Sequence, residues 1–352
     1  MFLIGLGTAT PPQRYQQHDC WEGFQASEQF PQLTARSRAI LKKVLLGNNG
    51  ISTRHLALDS LAEAFDLNPD ALHARFTRNA PSLAAQAAQR AMETASTHAG
   101  EIDAVVISTC TGYLCPGLTS YVSEQLSLRP DVLALDLVGQ GCGSALPNLR
   151  MAEALLASGR SCRVLSICVE VCSAAFYLDN DPGVLISACL FGDGAGAVVL
   201  SNEPHSSRRQ IRWKAAATTL SPSDRDCLRF EQKNGMLRNI LTQQVPGLLG
   251  KHAETVLGDV LSQTGVCRGE ITGWIMHAGG REILRALRER LRLNERDLRW
   301  SANILRTYGN VSSPCVFFVL EAALADHAPG GYWWMSSFGA GFSCHGALLE
   351  VE

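Results

Sequence analysis

Residues 138–150 read VGQGCGSALPNLR, with Cys142 set between Gly141 and Gly143. An apolar, strand-like run, VLALDLV (132–138), leads into this stretch, and a helical run, SALPNLRMAEALLASG (144–159), leads out. A cysteine at such a corner sits where the partial positive charge of a helix N-terminus stabilises a thiolate, against an ordinary thiol pKa of about 8.5. Glycines on both sides allow a tight turn and close backbone approach by a substrate, and their amides can stabilise an oxyanion. The pattern predicts a nucleophile rather than a small buried hydrophobe.

Working outward, the surroundings of this corner recur. GEIDAVVISTCTG (100–112) and GEITGWIMHAGG (269–280) both begin Gly-Glu-Ile and run into an apolar strand. Gly141-Cys142 follows the first at nearly the spacing at which Gly309-Asn310 follows the second. Each landmark opens a helix-like segment, and each helix precedes another strand, CRVLSICVEV (162–171) and GGYWWMSSFG (330–339). Three features in register predict a duplicated α/β chain with largely parallel sheets. The polar stretch SNEPHSSRRQ (201–210) marks the junction, giving halves 1–205 and 206–352. Residues 210–235 read as a strand followed by a polar loop around SPSDRD (221–226).

Duplicated halves packed face to face place matching corners near their shared axis, so Cys142 and Asn310 are expected together, with His277 at the end of the strand before Asn310. His277 is the candidate partner for a thiolate–imidazolium pair, and the Asn310 amide can donate to a thioester carbonyl. A histidine there also serves as a hydrogen-bonded core residue, and Tyr-Gly-Asn also suits a turn. GDGAGAVVL (192–200) continues as a strand with no helix after its glycines, which argues against a dinucleotide fingerprint.

The 352 residues are 46% hydrophobic and 18% charged, with a net charge of −2, which disfavours nucleic acid as a partner. No apolar run is long enough to span a membrane, and MFLIGLGTATPP reads as a core strand rather than a signal peptide; the expected location is cytoplasmic. Twelve cysteines without a CxxC pair read as reduced thiols, mostly packed as small hydrophobes, and no metal site is expected.

With GTATPP (7–12), GQGC (139–142), LFGDGAGAVVL (190–200), MHAGG (276–280), YGNVSS (308–313) and FGAGF (338–342) in this order, the chain resembles the type III polyketide synthases, the chalcone and stilbene synthase superfamily. The resemblance covers nearly the whole length. It implies a thiolase-type αβαβα layered fold of two duplicated halves, a homodimer, and no cofactor beyond coenzyme A thioesters. An acyl-CoA starter and malonyl-CoA would be the substrates of iterative decarboxylative condensation, with ring closure to a pyrone, resorcinol or phloroglucinol-type product. By the same resemblance Cys142 is the nucleophile, and His277 and Asn310 support malonyl decarboxylation. Phe191 is a channel gate, Glu170 and Ser312 lie beside the cyclisation pocket, and Gly339 and Ala340 belong to a loop shaping the cavity.

Departures from the plant enzymes cluster in the pocket. Cys110 stands where they carry threonine, next to Thr111, and Cys115 where they carry a methionine that reaches into the partner subunit's cavity. Cys172 and Ala175 replace two more threonines, and Asn239 is a candidate for the second gate. Short, apolar replacements favour an aliphatic starter. Lys42, Lys43 and Arg54 lie roughly where the family places coenzyme A phosphate contacts, although solvated surface charges would read the same. Three rivals remain at this stage. A ketoacyl-acyl carrier protein synthase III shares the Cys-His-Asn set but carries His-Gln-Ala-Asn where this chain has His277-Ala278-Gly279-Gly280. A degradative thiolase needs a second catalytic cysteine, for which Cys344 is the candidate. A non-catalytic thiolase-fold subunit would usually lose the nucleophile.

Overall fold

The computed structural model describes residues 1–205 and 209–352, so residues 206–208, where the expected junction falls, lie outside the described residues. In the first half, β1 (Phe2–Ala9) is followed by β2 (Arg14–Gln16), α1 (Gln17–Ala26), α2 (Ala35–Leu46) and β3 (Thr53–His55). Then come α3 (Pro69–Thr94), β4 (Ala104–Ser108), α4 (Leu118–Leu126), β5 (Leu133–Leu137), α5 (Ala145–Ala157), β6 (Arg163–Glu170), α6 (Pro182–Leu190) and β7 (Gly194–Ser201). The second half runs β8 (Ile211–Leu220), β9 (Leu228–Lys233), β10 (Met236–Leu241), α7 (Val245–Thr264), β11 (Ile271–Met276), α8 (Arg281–Arg290), α9 (Arg299–Tyr308), α10 (Cys315–Ala325), β12 (Gly331–Gly339) and β13 (Ser343–Val351).

The main sheet has the order β11-β12-β13-β8-β1-β7-β6-β4-β5. Read outward from the β1/β8 seam, β1-β7-β6-β4 matches β8-β13-β12-β11, so the duplication is topological. Among the described residues β5 has no counterpart at the other edge. The seam itself is a single antiparallel register pair, Phe2 with Arg212. The sheets are mixed, contrary to the expectation of largely parallel ones. β4 pairs in parallel with β5 and β6, as does β11 with β12, but β7 and β13 run antiparallel to both of their neighbours. For β13 the reason is local: residues 340–342 reverse the chain directly after β12.

Five layers result. α3 covers the outer face of the first half-sheet and α7 that of the second. α5 and α10 lie between, each touching strands of both halves. This position explains the sequence of α10, CVFFVLEAALA, whose first six residues, Cys315–Leu320, are apolar all round because every one of them is buried. α3 starts at Pro69 behind an Asn68 cap and lays an alanine face, Ala84, Ala87, Ala88 and Ala91, against β1. The approach is too close for side chains on the strand: a Cβ at Gly7 would stand 2.5 Å from Ala87 O.

Two glycines give a test. Gly7→Ala, by urea denaturation, is expected to destabilise by about 2–3 kcal/mol through overpacking. Gly258→Ala, in α7 with nothing within 4 Å of the added carbon, should stabilise by about 0.5–1 kcal/mol.

Candidate active site

Gly141–Gly143 form one turn of 3-10 helix directly before α5, so Cys142 does open a helix. Gly141 has φ +56°, a conformation for which glycine is suited. These glycines clear space for the protein itself, and Gly141 also borders the cavity described below. A Cβ at Gly143 would lie 2.9 Å from Gly339 N and 3.1 Å from His345 Cδ2; one at Gly339 would lie 2.2 Å from Gln140 O. The nucleophile turn and the β12–β13 turn are in backbone contact, and Ser337 Oγ donates to Gly143 O at 2.8 Å.

The second-half residues arrive by a chain of short contacts. Ser312 Oγ is 3.0 Å from Cys142 Sγ. The Ser312 amide donates to Asn310 Oδ1 at 2.9 Å, and Asn310 Nδ2 donates to Gly279 O at 3.1 Å. Gly279 packs on the His277 ring, where a Cβ would be 3.4 Å from Nε2. One N–H of the Asn310 amide is therefore held and the other left for a ligand. Phe191 ends α6 and bridges to Asn310 through the backbone.

Burial works against the thiolate–imidazolium pair expected from the sequence. Burial pushes the Cys142 thiol up to about 12, with the Ser312 hydroxyl offsetting part of the shift. Burial lowers His277 to about 4, and no hydrogen bond among the described residues holds either ring nitrogen. Desolvation at this site opposes the charged form of both groups.

Cys142, Gly141, Thr111, Cys172, Ala175, Phe191, Asn239, Ser312 and Ala340 line a cavity of about 1060 Å³, open mouth included. It continues along Phe24, Leu56, Leu58, Leu61 and Phe65. A second, wider cleft of about 1550 Å³ is lined by Cys110, Thr111, Tyr113, Gly141, Arg229 and Ala340. Phe230 borders both. Glu170 is buried and accepts from Thr111 Oγ1 at 2.9 Å and from Ser313 Oγ at 2.6 Å. Gly339 stands behind the nucleophile turn.

Other assignments fare differently. Cys115 is exposed and lines neither cavity. Lys42 and Lys43 are exposed on α2 without an ion-pair partner among the described residues. Arg54 is no surface cation. It is 3% exposed, and its guanidinium donates to the carbonyls of Ala188 and Phe191 and to Gln17 Oε1, so it anchors the end of α6 rather than a phosphate. Cys344 packs in the apolar core, which removes the second cysteine a degradative thiolase needs. All twelve cysteines are free.

The hairpin β9–β10 was not expected. SPSDRD forms a 3-10 turn, Pro222–Cys227, and the chain then reverses at Asn234-Gly235, both with positive φ. Asn-Gly between alternating residues is a hairpin signal that was available in the sequence. Phe230 and Asn239 reach the cavity from this hairpin.

Comparison with known proteins agrees with this geometry. Residues 8–228 match the family described as FAE1/Type III polyketide synthase-like protein, and residues 213–349 match the chalcone and stilbene synthases, C-terminal domain. The chain therefore belongs to the type III polyketide synthase family, whose members are decarboxylating acyltransferases that need no cofactor beyond their coenzyme A thioester substrates. A 3,5-dihydroxyphenylacetyl-CoA synthase of Streptomyces toyocaensis is 28% identical, covering 99% of this chain and 89% of that one. The same fold is seen in PKS-I of the brown alga Ectocarpus siliculosus, with TM-score 0.89, 24% identity, and coverage of 99% of this chain and 97% of that one. It recurs in 1,3,6,8-tetrahydroxynaphthalene synthase of Streptomyces coelicolor, with TM-score 0.87, 21% identity and 99% coverage of both chains.

His277 and His345, each lowered to about 4 by burial, bind protons more readily in the unfolded chain. Stability should therefore rise with pH between about 4 and 6.5 and fall as pH drops through that window, by up to about 3 kcal/mol per histidine. Urea midpoints at pH 5 and 7 read this, and His345→Gln should flatten the dependence.

Proposed function

We propose that the chain loads an aliphatic acyl-CoA starter onto Cys142, extends it with malonyl-CoA by repeated decarboxylative condensation, and closes the product to a pyrone, resorcinol or phloroglucinol-type ring. The observation that carries this reading is the cavity beside Cys142, whose lining includes the hydrocarbon side chains of Leu56, Leu58, Leu61, Phe24 and Phe65. An alkyl tail is the ligand such walls desolvate at least cost.

In this reading the Cys142 sulfur attacks the starter carbonyl and coenzyme A leaves. Malonyl-CoA then loses carbon dioxide, and the enolate carbon attacks the acyl-cysteine. His277, neutral, and the free N–H of Asn310 donate to the thioester oxygen on which the enolate charge develops. Phe191 screens the sulfur from the channel, and Lys42 and Lys43 face the coenzyme A phosphates.

A homodimer, the expected assembly, is supported by the unpaired edge strand β5 and by exposed apolar side chains near it, Leu133 at 45%, Val138 at 63% and Tyr113 at 71%. Exposure of Cys115 on the same side suits contact with a second subunit. We place the protein in the cytoplasm; no helix of the described residues is long and apolar enough to cross a membrane.

Mass spectrometry of the protein with a panel of acyl-CoAs, with and without malonyl-CoA, tests the proposal. A medium or long acyl adduct on Cys142 that becomes a cyclic polyketide is the expected result. Extension only from malonyl-acyl carrier protein, or a clear preference for aromatic starters, would overturn it. Leu61→Trp should shift loading toward shorter chains. Asn310→Ala is expected to slow malonyl-CoA decarboxylation about 100-fold while changing acyl loading only a few-fold.

A further inference from the structure

Arg54 is a guanidinium buried in the protein with no carboxylate partner among the described residues. A charge so placed needs compensation. The end of α6 supplies it: Nη1 donates to the carbonyls of Ala188 and Phe191, both at 2.9 Å, where the helix carries its partial negative charge. Nε donates to Gln17 Oε1 at 3.1 Å, and Gln17 Nε2 in turn donates to Cys189 O at 2.9 Å. The remaining carbonyl at this end, that of Leu190, accepts from the backbone amide of Asn310 at 2.9 Å. Every carbonyl from 188 to 191 is thus held by a donor from outside the helix, through Arg54, Gln17 or Asn310.

The same corner holds Asn310 from other sides. Asn310 O accepts from Gly192 N at 3.0 Å, so both backbone groups of Asn310 are bonded to the residues flanking Phe191. Gly309 has φ +73°, and a Cβ there would stand 2.7 Å from Leu190 O and 3.0 Å from Arg54 Cγ. The stem of the arginine therefore packs under the residue before Asn310. On either side of Arg54 in β3, Thr53 Oγ1 donates to Thr307 O at 2.6 Å, and His55 O accepts from Asp193 N at 2.8 Å. Strand β3 is clipped between the end of α9, which leads into Asn310, and the exit of α6.

We propose that Arg54 is a positioning residue for malonyl decarboxylation: by clamping the end of α6 it fixes where the Asn310 amide stands. The nucleophile turn does not share this dependence, because it is held against Gly339 and by Ser337, contacts that involve neither α6 nor β3. Loss of the clamp therefore separates two steps that use one cavity. The planar fork is what the place requires. One nitrogen reaches two carbonyls a turn apart while another reaches Gln17, which the single ammonium of lysine does not reproduce.

This inference rests on the reading of Asn310 as a donor to the malonyl thioester, so its test has one readout of geometry and one of chemistry. Geometry is read by hydrogen–deuterium exchange. In Arg54→Lys the peptide spanning 308–312 should exchange at least about tenfold faster, with α7 unchanged. Chemistry is read by carbon dioxide release from malonyl-CoA. Its kcat should fall at least about tenfold with KM within about twofold, while acylation of Cys142 changes by less than about threefold. In the Asn310→Ala background the same substitution should slow decarboxylation no further, because it acts through that amide. Gln17→Met removes the bond to Cys189 O and keeps the arginine. It should move both readouts the same way by smaller amounts, and it decides the matter if Arg54→Lys fails to fold. Unchanged exchange at 308–312 in the folded variants would overturn the inference. So would a further loss in the Asn310→Ala background, or a rise in KM alone, which a phosphate contact would give. Absence of carbon dioxide release from the unmodified protein would sink the proposed function instead, and exchange would still decide whether Arg54 holds Asn310.

Discussion

The site depends on one backbone contact, between the nucleophile turn of the first half and the β12–β13 turn of the second. Gly141, Gly143 and Gly339 bring main chain against main chain where a single Cβ on any of them would lie within 3 Å of an opposing atom. Hydrogen bonding by Ser337 and packing by His345 brace the same contact. Because the turn belongs to one half and its support to the other, the position of the sulfur is fixed by how the halves meet rather than by either alone. The Asn310–Ser312 segment then needs only its own short hydrogen bonds to bring an amide and a hydroxyl to that sulfur.

The second determinant is desolvation. Within this site burial opposes the charged forms of the Cys142 thiol, the His277 imidazole and the Glu170 carboxyl, and hydroxyl, thiol and amide donors surround that carboxyl in place of water. Whatever ionises the sulfur has to act against that desolvation.

Much of this was legible in the sequence because two kinds of signal are local. Register between the halves follows from motifs at matched spacing, and it located the Cys142 and Asn310 corners and the strand ending at His277. The family motifs then pointed to residues that do line the cavity, such as Phe191, Ser312 and Ala340, whereas Cys115 lines neither cavity. What the chain did not disclose depends on packing in three dimensions. Arg54 looks like any surface cation until the end of α6 closes over it. The burial that opposes ionisation of Cys142 is likewise a product of packing, whereas a helix N-terminus and a nearby histidine act in the other direction. The mixed strand directions come from short connections that hydrophobic pattern alone does not orient. The β9–β10 hairpin was a different failure, since Asn234-Gly235 announced it.

The placement of α10 has a consequence for how the protein is made. The inner face of the first half-sheet, on β1 and β7, is covered by a helix that lies more than a hundred residues further along the chain. As synthesis proceeds from the N-terminus, that face stays open until α10 has left the ribosome, so the first half cannot reach its final packing on its own. The two halves resemble each other as ancestors would, yet neither retains the self-sufficiency of a domain.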